Sequence, residues 1–344
     1  MNKPIPKVTI SDIARELNIT AATVSRALND HPSIKEDTKK KVRAIASKLN
    51  YQPNKLASSL RLGRTNIIGV IIPSAEINFF GSVVHGIEKV ANENNYNVLI
   101  YQTNELYEYE KRGVQTFLQS RVDGVLASIS KETINLNHYL EIKKRGVPLI
   151  LFDRVNDALE VSSVVVNDYA GAFAATKHLI EQGCKKIAHI GGQQHVNIFN
   201  QRLKGYIDAL NVHNIAVNED WIVHGKVSIE SGRECMQHLL SMRQQPDAIF
   251  AVEDFTALGA IQAIKAADKK IPGDIAIIGF ANEAFGEYIT PSLSTVNQQT
   301  GRMGQEAANL FFEGMNKSNG YASPPRKMVL QPELVCRNSS IKFT

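Results

Sequence analysis

From Asn66 to Asn282 the chain alternates short, continuous apolar runs with amphipathic stretches. The runs are "NIIGVII", "YNVLIYQ", "VDGVLASI" and "VPLILFD", then "KKIAHIGG", "DAIFAVED" and "IAIIGFAN". Unbroken apolar runs of this kind fit strands covered on both faces, as in parallel sheets. Between them lie "FFGSVVHGIEKVANEN", "YEKRGVQTFLQS", "AGAFAATKHLIEQG", "QRLKGYIDALN", "SGRECMQHLLSM" and "ALGAIQAIKAAD", whose apolar residues recur at helical spacing. Repeated strand–helix–strand units admit few topologies, because crossovers are right-handed and helices cover both faces of the sheet. Two such series, roughly 65–165 and 166–293, predict two similar doubly wound α/β lobes. "STVNQ" and "KMVLQPELVCR" remain as late strands that return to either lobe.

In open parallel sheets, ligands bind outside the carboxyl ends of the strands. Those ends carry Pro73-Ser74, Gln102-Thr103, Asp153-Arg154, Gly191-Gly192, Glu253-Asp254 and Ala281-Asn282. Two lobes facing each other across these ends make a cleft for a small molecule. Carboxylates and amides suit hydroxyl groups, and Phe79, Phe80, Phe199 and Phe255 offer rings for apolar sugar faces, so the mixture points to a sugar-like ligand. Each phenylalanine taken singly reads first as core packing. Catalysis finds no support: "IGGQQH" lacks the spacing of a dinucleotide loop, GxxxxGK[ST] and GxSxG are missing, and the His residues are scattered. No cofactor or metal is expected.

The first 64 residues have another texture. They hold 13 Lys/Arg against 5 Asp/Glu, a charge of +8, whereas the rest of the chain carries −3. A basic head on a mildly acidic body points to nucleic acid. In "DIARELNITAATVSRALND", two short apolar-periodic runs flank a break at Asn18-Ile19-Thr20. Thr9 with Asp12 has capping-box spacing, and Thr20 recaps. A third helix begins near Ser33 or Asp37. Ile13, Leu17, Val24, Leu28, Val42, Ile45 and Leu49 are expected to bury one another. The spacing is that of a helix-turn-helix, whose second helix enters the major groove. Its outward residues are then Ala21, Ala22, Ser25 and Arg26. Arg26 reaches guanine or phosphate, Thr20 and Ser25 suit phosphate oxygens, and the alanines offer only apolar contact. The following "NKLASSLRLGR" is either a plain linker or a short helix that forms on DNA.

Hydrophobic residues make up 43% and charged residues 21% of 344, as in globular proteins. No apolar run approaches the roughly 18 residues of a membrane span, and "MNKPIPKVTISDIA" lacks the apolar core of a signal peptide. Cys184, Cys235 and Cys336 form no metal or redox motif and are expected to be reduced thiols in the cytoplasm.

"VTISDIARELNITAATVSRALND" followed by "KLNYQPNKLASSLRLGRTNIIGVIIP" resembles the lactose-repressor (LacI/GalR) family of bacterial transcriptional regulators. The resemblance extends through "RVDGVL", "VPLILFDR", "AGAFAATKHLIEQGCKKIAHIGG", "RLKGY", "IPGDIAIIGFAN" and "PSLSTVNQ". It implies an all-α helix-turn-helix head over residues 1–52 and a hinge helix within 53–64. The rest, 65–344, is implied to be a periplasmic-binding-protein-like core whose lobes cross over three times. The first lobe is expected at about 65–165 plus 295–325, and the second at about 166–294 plus 326–344. Implied partners are a pseudopalindromic double-stranded operator, a second copy of the chain, and a small-molecule effector, often a sugar.

The residues implied to meet DNA are Thr9, Thr20, Ala21, Ala22, Thr23, Ser25, Arg26, Asn29, Tyr51, Asn54, Ala57, Leu60 and Arg61, with Leu60 as the minor-groove wedge. Those implied to meet effector are Ser74, Phe79, Phe80, Asp153, Phe199, Arg202, Glu253, Phe255, Asn282 and Gln298. The chain departs from the family at three of its usual sugar contacts. Glu253-Asp254 stands for the usual Asn-Asp, Ala281 for a hydroxyl-binding carboxylate, and Val227 for an aromatic residue.

Overall fold

The structure, a computed structural model, describes residues 8–51, 64–316 and 324–342. The chain divides into two compact units, residues 1–65 and 66–344.

In the head, α1 (Ile10–Leu17), α2 (Ala21–Leu28) and α3 (Glu36–Lys48) pack around Ile13, Ala14, Val24, Ala27, Val42 and Ala46. Leu17, Leu28, Ile45 and Leu49 are only partly buried, at the margin of this small core. The backbone N–H and hydroxyl of Thr9 both donate to Asp12, at 2.9 and 2.7 Å. α1 stops because Asn18 turns left-handed (φ 51°), a conformation Asn tolerates. Ile19 then donates to the Ala14 carbonyl at 3.0 Å, and the Thr20 hydroxyl accepts from the N–H of Thr23 at 3.1 Å, which starts α2.

The core opens with β1 (Ile67–Ile72), α4 (Asn78–Glu93), β2 (Asn97–Gln102), α5 (Tyr107–Gln119), β3 (Gly124–Ala127), α6 (Asn137–Lys144), β4 (Leu149–Phe152) and β5 (Ser162–Val166). It continues with α7 (Asp168–Glu181), β6 (Ile187–Gly191), α8 (Asn197–Val212), β7 (Ile222–His224), α9 (Ile229–Ser241), β8 (Ala248–Ala251), α10 (Asp254–Ala266), β9 (Ala276–Ile278) and α11 (Phe285–Tyr288). β10 (Thr295–Asn297), α12 (Thr300–Asn316), β11 (Lys327–Leu330) and β12 (Glu333–Val335) close the described chain. The first lobe is a parallel sheet ordered β11-β5-β4-β3-β1-β2, and the second a parallel sheet ordered β7-β6-β8-β9. The two doubly wound lobes are those the apolar runs predict. β5 and β7 escape the sequence reading because "SSVVV" begins with two serines and "IVH" is only three residues long.

The late strands correct the expected lobe boundaries. β10 belongs to the second lobe, where Val296 is buried with Ile278, Phe280 and Tyr206. β11 belongs to the first, pairing in parallel with β5 at its edge. β12 pairs antiparallel with β10. The chain therefore crosses between lobes at β5–α7, β10–α12 and β11–β12.

Close helix packing depends on glycine, as α12 and α8 show. A Cβ on Gly304 of α12 would sit 2.0 Å from the Val83 carbonyl of α4, and one on Gly205 of α8 would sit 2.4 Å from the Tyr169 carbonyl of α7.

Candidate functional site: a recognition helix and a cleft between lobes

In the head, Val24 and Ala27 turn α2 inward, which leaves Ala21, Ala22, Arg26 and Asn29 exposed on its other side. Ser25 is half-buried beside them, and its carbonyl accepts from the Asn29 amide at 2.7 Å. Thr20 and Thr23 share a hydroxyl–hydroxyl bond of 2.9 Å at the start of α2. Arg26 is thus the only long cationic side chain on α2. Thr9 is exposed at the start of α1, whereas Tyr51 is half-buried against the head core. The expected contacts Asn54, Ala57, Leu60 and Arg61 lie outside the described residues.

In the core, strand ends and helix starts from both lobes enclose a cavity of about 80 Å³. Phe79 and Phe80, edge to face with centroids 5.0 Å apart, come from the start of α4. Phe199 and Arg202 come one turn apart from α8, Asp153 and Arg154 follow β4, and Gln298 lies on the β10–α12 crossing. The Phe199 ring fits because residue 192 is glycine: a Cβ there would lie 2.5 Å from it. An outer chamber of about 530 Å³ shares Lys131, Asp153, Arg154 and Ile198 with the inner one.

Arg202 is 2% exposed. Its Nε donates to an Asp168 oxygen at 2.8 Å, its Nη2 lies 2.7 Å from the same oxygen in an ion pair, and its Nη1 donates to the Val252 carbonyl at 2.7 Å. The guanidinium stacks 3.7 Å from the Phe280 ring centroid. Burial nevertheless pushes the Asp168 carboxyl up to about 6, so desolvation outweighs the attraction of Arg202.

Glu253 is the N-cap of α10, and one of its oxygens accepts from Phe255 and Thr256 N–H at 3.0 and 3.4 Å. Glu283 accepts the N–H of Phe79 at 3.2 Å, which fills one orphan donor at the uncapped start of α4 and ties the two lobes together. The backbone N–H of Glu283 in turn donates to Asp254, which also accepts the Thr295 hydroxyl at 2.7 Å. Glu253 and Glu283 each leave a second oxygen without a partner among the described residues. Burial, then the neighbouring Asp254, pushes Glu253 up to about 8; burial pushes Asp254 and Glu283 up to about 6. A second bond between lobes joins His195 to the Lys131 carbonyl at 2.7 Å.

In the same lining, Arg154 and Lys131 share Glu105, at 2.7 and 3.5 Å. Burial and the adjacent Arg154 lower the pKa of Lys131. Three lining residues stand at positive φ: Asp153 (59°), Val227 (58°) and Ala281 (128°). For the β-branched Val227 this is a strained backbone, and such strain gathers at functional sites.

Phe79, Phe80, Asp153, Phe199, Arg202, Glu253, Phe255 and Gln298, all named from sequence, are brought together in the inner lining. Ser74 and Asn282 are not. The Ser74 hydroxyl holds its own loop by accepting from Glu76 N–H, and the Asn282 side-chain oxygen accepts from Arg337 at 3.0 Å. Lys131, Arg154, Glu283, Ile77 and Ile198 also line the cavity and were missed. Arg154 was legible at its strand end, as was Lys131 just past "VLASIS". Glu283 restores, two residues on, a carboxylate that Ala281 lacks.

A helix-turn-helix head followed by a two-lobed core enclosing a cavity defines a DNA-binding regulator with a ligand-binding trunk. Residues 9–54 match the model of bacterial regulatory proteins of the lacI family, and residues 176–340 match the periplasmic binding protein-like domain. The chain is 32% identical to the HTH-type transcriptional repressor PurR of Pasteurella multocida (strain Pm70) over 332 residues, covering 96% of this chain and 98% of that one. It is also 32% identical to the ribose operon repressor of Haemophilus influenzae, with the same coverage. Among solved structures, the lac repressor dimer bound to operator and the anti-inducer ONPF superposes with a TM-score of 0.86 at 24% identity, covering 98% of this chain and 100% of that one. The transcriptional regulator CelR in complex with cellobiose superposes with a TM-score of 0.73 at 26% identity, covering 97% and 100%. The chain belongs to the LacI family. It is a DNA-binding transcriptional repressor and not an enzyme.

Proposed function

We propose that this repressor is controlled by a small carbohydrate held between the two lobes. The observation that carries the reading is the inner cavity itself. Phenylalanine rings from both lobes line it together with Arg202 and the carboxyl groups of Glu253 and Glu283, each of which has one oxygen without a partner among the described residues. Rings for the apolar faces of a sugar and acceptors for its hydroxyls are the chemistry such a ligand needs. Relatives named for ribose and bound to cellobiose support the class. The chain works in the cytoplasm as a homodimer on a pseudopalindromic operator. Arg26 and the alanines of α2 face the major groove, and residues 53–64 form the hinge, with Leu60 as wedge. The ligand acts only through its differential affinity for two trunk states, typically ~1–3 kcal/mol of coupling. No helix among the described residues is long and apolar enough to cross a membrane.

The test is a thermal-shift screen of the full chain against pentoses, hexoses, disaccharides and purine bases, followed by operator binding with and without each hit. A sugar that stabilises the core and changes operator affinity at least severalfold is the expected result. Stabilisation by purines alone would refute the carbohydrate assignment.

A further inference from the structure

Arg154 is 9% exposed and lines both chambers of the cleft, yet all three of its hydrogen bonds leave from one nitrogen. Nη1 donates to both Glu105 oxygens, at 2.9 and 2.7 Å, and to the Ile129 carbonyl at 3.4 Å. Nε is buried without a hydrogen-bond partner; the nearest acid, Asp153, stands 3.8 Å away, too far to bond it. Nη2 makes no hydrogen bond among the described residues. Nε and Nη2 point the same way, and together they form the planar fork that grips a carboxylate with two parallel bonds. This edge has Asp153 as an ion-pair neighbour but no hydrogen bond, and a nearly buried donor left unsatisfied is unfavourable unless a ligand completes it. The Phe80 ring lies 5.7 Å from the guanidinium and forms an apolar wall beside the fork.

Lys131 adds a second cation. Its ammonium stands 3.5 Å from Glu105, which already accepts from Arg154 and from the Lys131 backbone N–H at 2.9 Å. One carboxylate thus serves two cations. Asp153, which accepts the Ser128 hydroxyl at 3.3 Å, is the remaining acid on this wall. Glu253 and Glu283, from the second lobe, also line the inner cavity, and Glu253 is near enough to Lys131 to favour its charged form.

We propose that Arg154 and Lys131 form a carboxylate subsite and that the effector is a sugar acid, its carboxylate on the Arg154 fork and its hydroxyls toward Glu253 and Glu283. This rests on the reading of the cavity as a carbohydrate site. A carboxylate is chosen over a phosphate because the unused donors are a single planar fork and the two cations already share one acid. Asp153 keeps the wall close to neutral until a monoanion arrives.

The experiment measures binding to the full chain by calorimetry and thermal shift. The probes are D-glucuronate, D-galacturonate and D-gluconate, their neutral counterparts D-glucose and D-galactose, D-glucose 6-phosphate, and hypoxanthine. The expected result is a sugar acid binding roughly 10- to 100-fold tighter than its neutral counterpart, the range for charge-assisted bonds. Arg154→Lys keeps the charge but lacks the fork, and should lower sugar-acid affinity severalfold more than neutral-sugar affinity, so that most of the preference is lost. Lys131→Gln, which leaves the Arg154–Glu105 bonds in place, should reduce the preference without unfolding the core. Neutral sugars binding as tightly as acids would overturn the subsite and leave the carbohydrate reading standing. Preference for the phosphate would overturn the choice of carboxylate. Hypoxanthine binding with no sugar bound would overturn the carbohydrate reading, and the subsite with it.

Discussion

Asp168 and Arg202 form a buried ion pair whose removal from one side should be far worse than its removal from both. Asp168 is 6% and Arg202 2% exposed. Asp168→Ala leaves a buried guanidinium with one carbonyl and one ring, an uncompensated charge of the kind that destabilises by about 3–5 kcal/mol. For a core of this size that lowers Tm by roughly 6–20 °C. Replacing both, Asp168→Leu with Arg202→Met, should restore most of the loss, because apolar residues avoid the desolvation that the pair does not fully offset. The pH dependence gives an independent sign. The Asp168 carboxyl titrates at about 6 in the folded chain, above its ordinary value of 3.8. The folded state therefore holds this proton more tightly than the unfolded state. Its contribution to stability is full below pH ~4 and declines as pH rises to ~6. Asp168→Ala should lose that decline. Urea denaturation of the single and double variants from pH 4.5 to 8 measures all of this. A single variant within about 1 kcal/mol of the parent, or a double variant as unstable as the sum of two separate losses, would refute the reasoning.

Further outcomes follow from the same geometry. Arg26→Ala should weaken operator binding by roughly 1–3 kcal/mol and relax specificity at one base position; an unchanged footprint and salt slope would rule out base reading. Glu283→Gln keeps an acceptor for Phe79 N–H but removes the charge, so the core should stay folded while sugar affinity falls; unchanged affinity in a calorimetric titration would exclude Glu283 from the ligand. Glu253 stays protonated to about 8 in the folded state, well above its ordinary 4.5, so the empty core should lose stability between pH ~4.5 and ~8. Glu253→Gln should flatten the upper part of that decline in a Tm-against-pH series. Val227→Asn relieves a left-handed β-branched residue and should raise core stability by about 1 kcal/mol; a lower Tm would show that no strain resides there.

The doubly wound lobes are legible because buried parallel strands read as unbroken apolar runs, and the head because its two short helices are punctuated by Asn18 and Thr20. What the chain order hides is which lobe claims a late strand. "STVNQ" and "KMVL" are alike as short apolar runs, and only Val296 beside Phe280 and the β5 edge waiting for β11 decide between them. The cavity follows the same division. Side chains at strand ends and on helix faces, such as Asp153 and Arg202, can be placed from pattern. Glu283 sits in a loop without periodicity, and its role depends on the uncapped start of α4, about 200 residues away in the chain. The left-handed backbone of Val227 has no sequence signal, since no glycine or asparagine marks it.

The three crossings between lobes have a mechanical meaning. Two bodies joined by one strand of chain can swivel and separate, but three adjacent tethers confine them to rocking about the line those tethers define. Work done by a ligand at the cleft mouth is then delivered along a single coordinate instead of being dissipated in slack. A protease that cuts any one tether should leave a nicked core that still elutes as one particle, its lobes held by the other two.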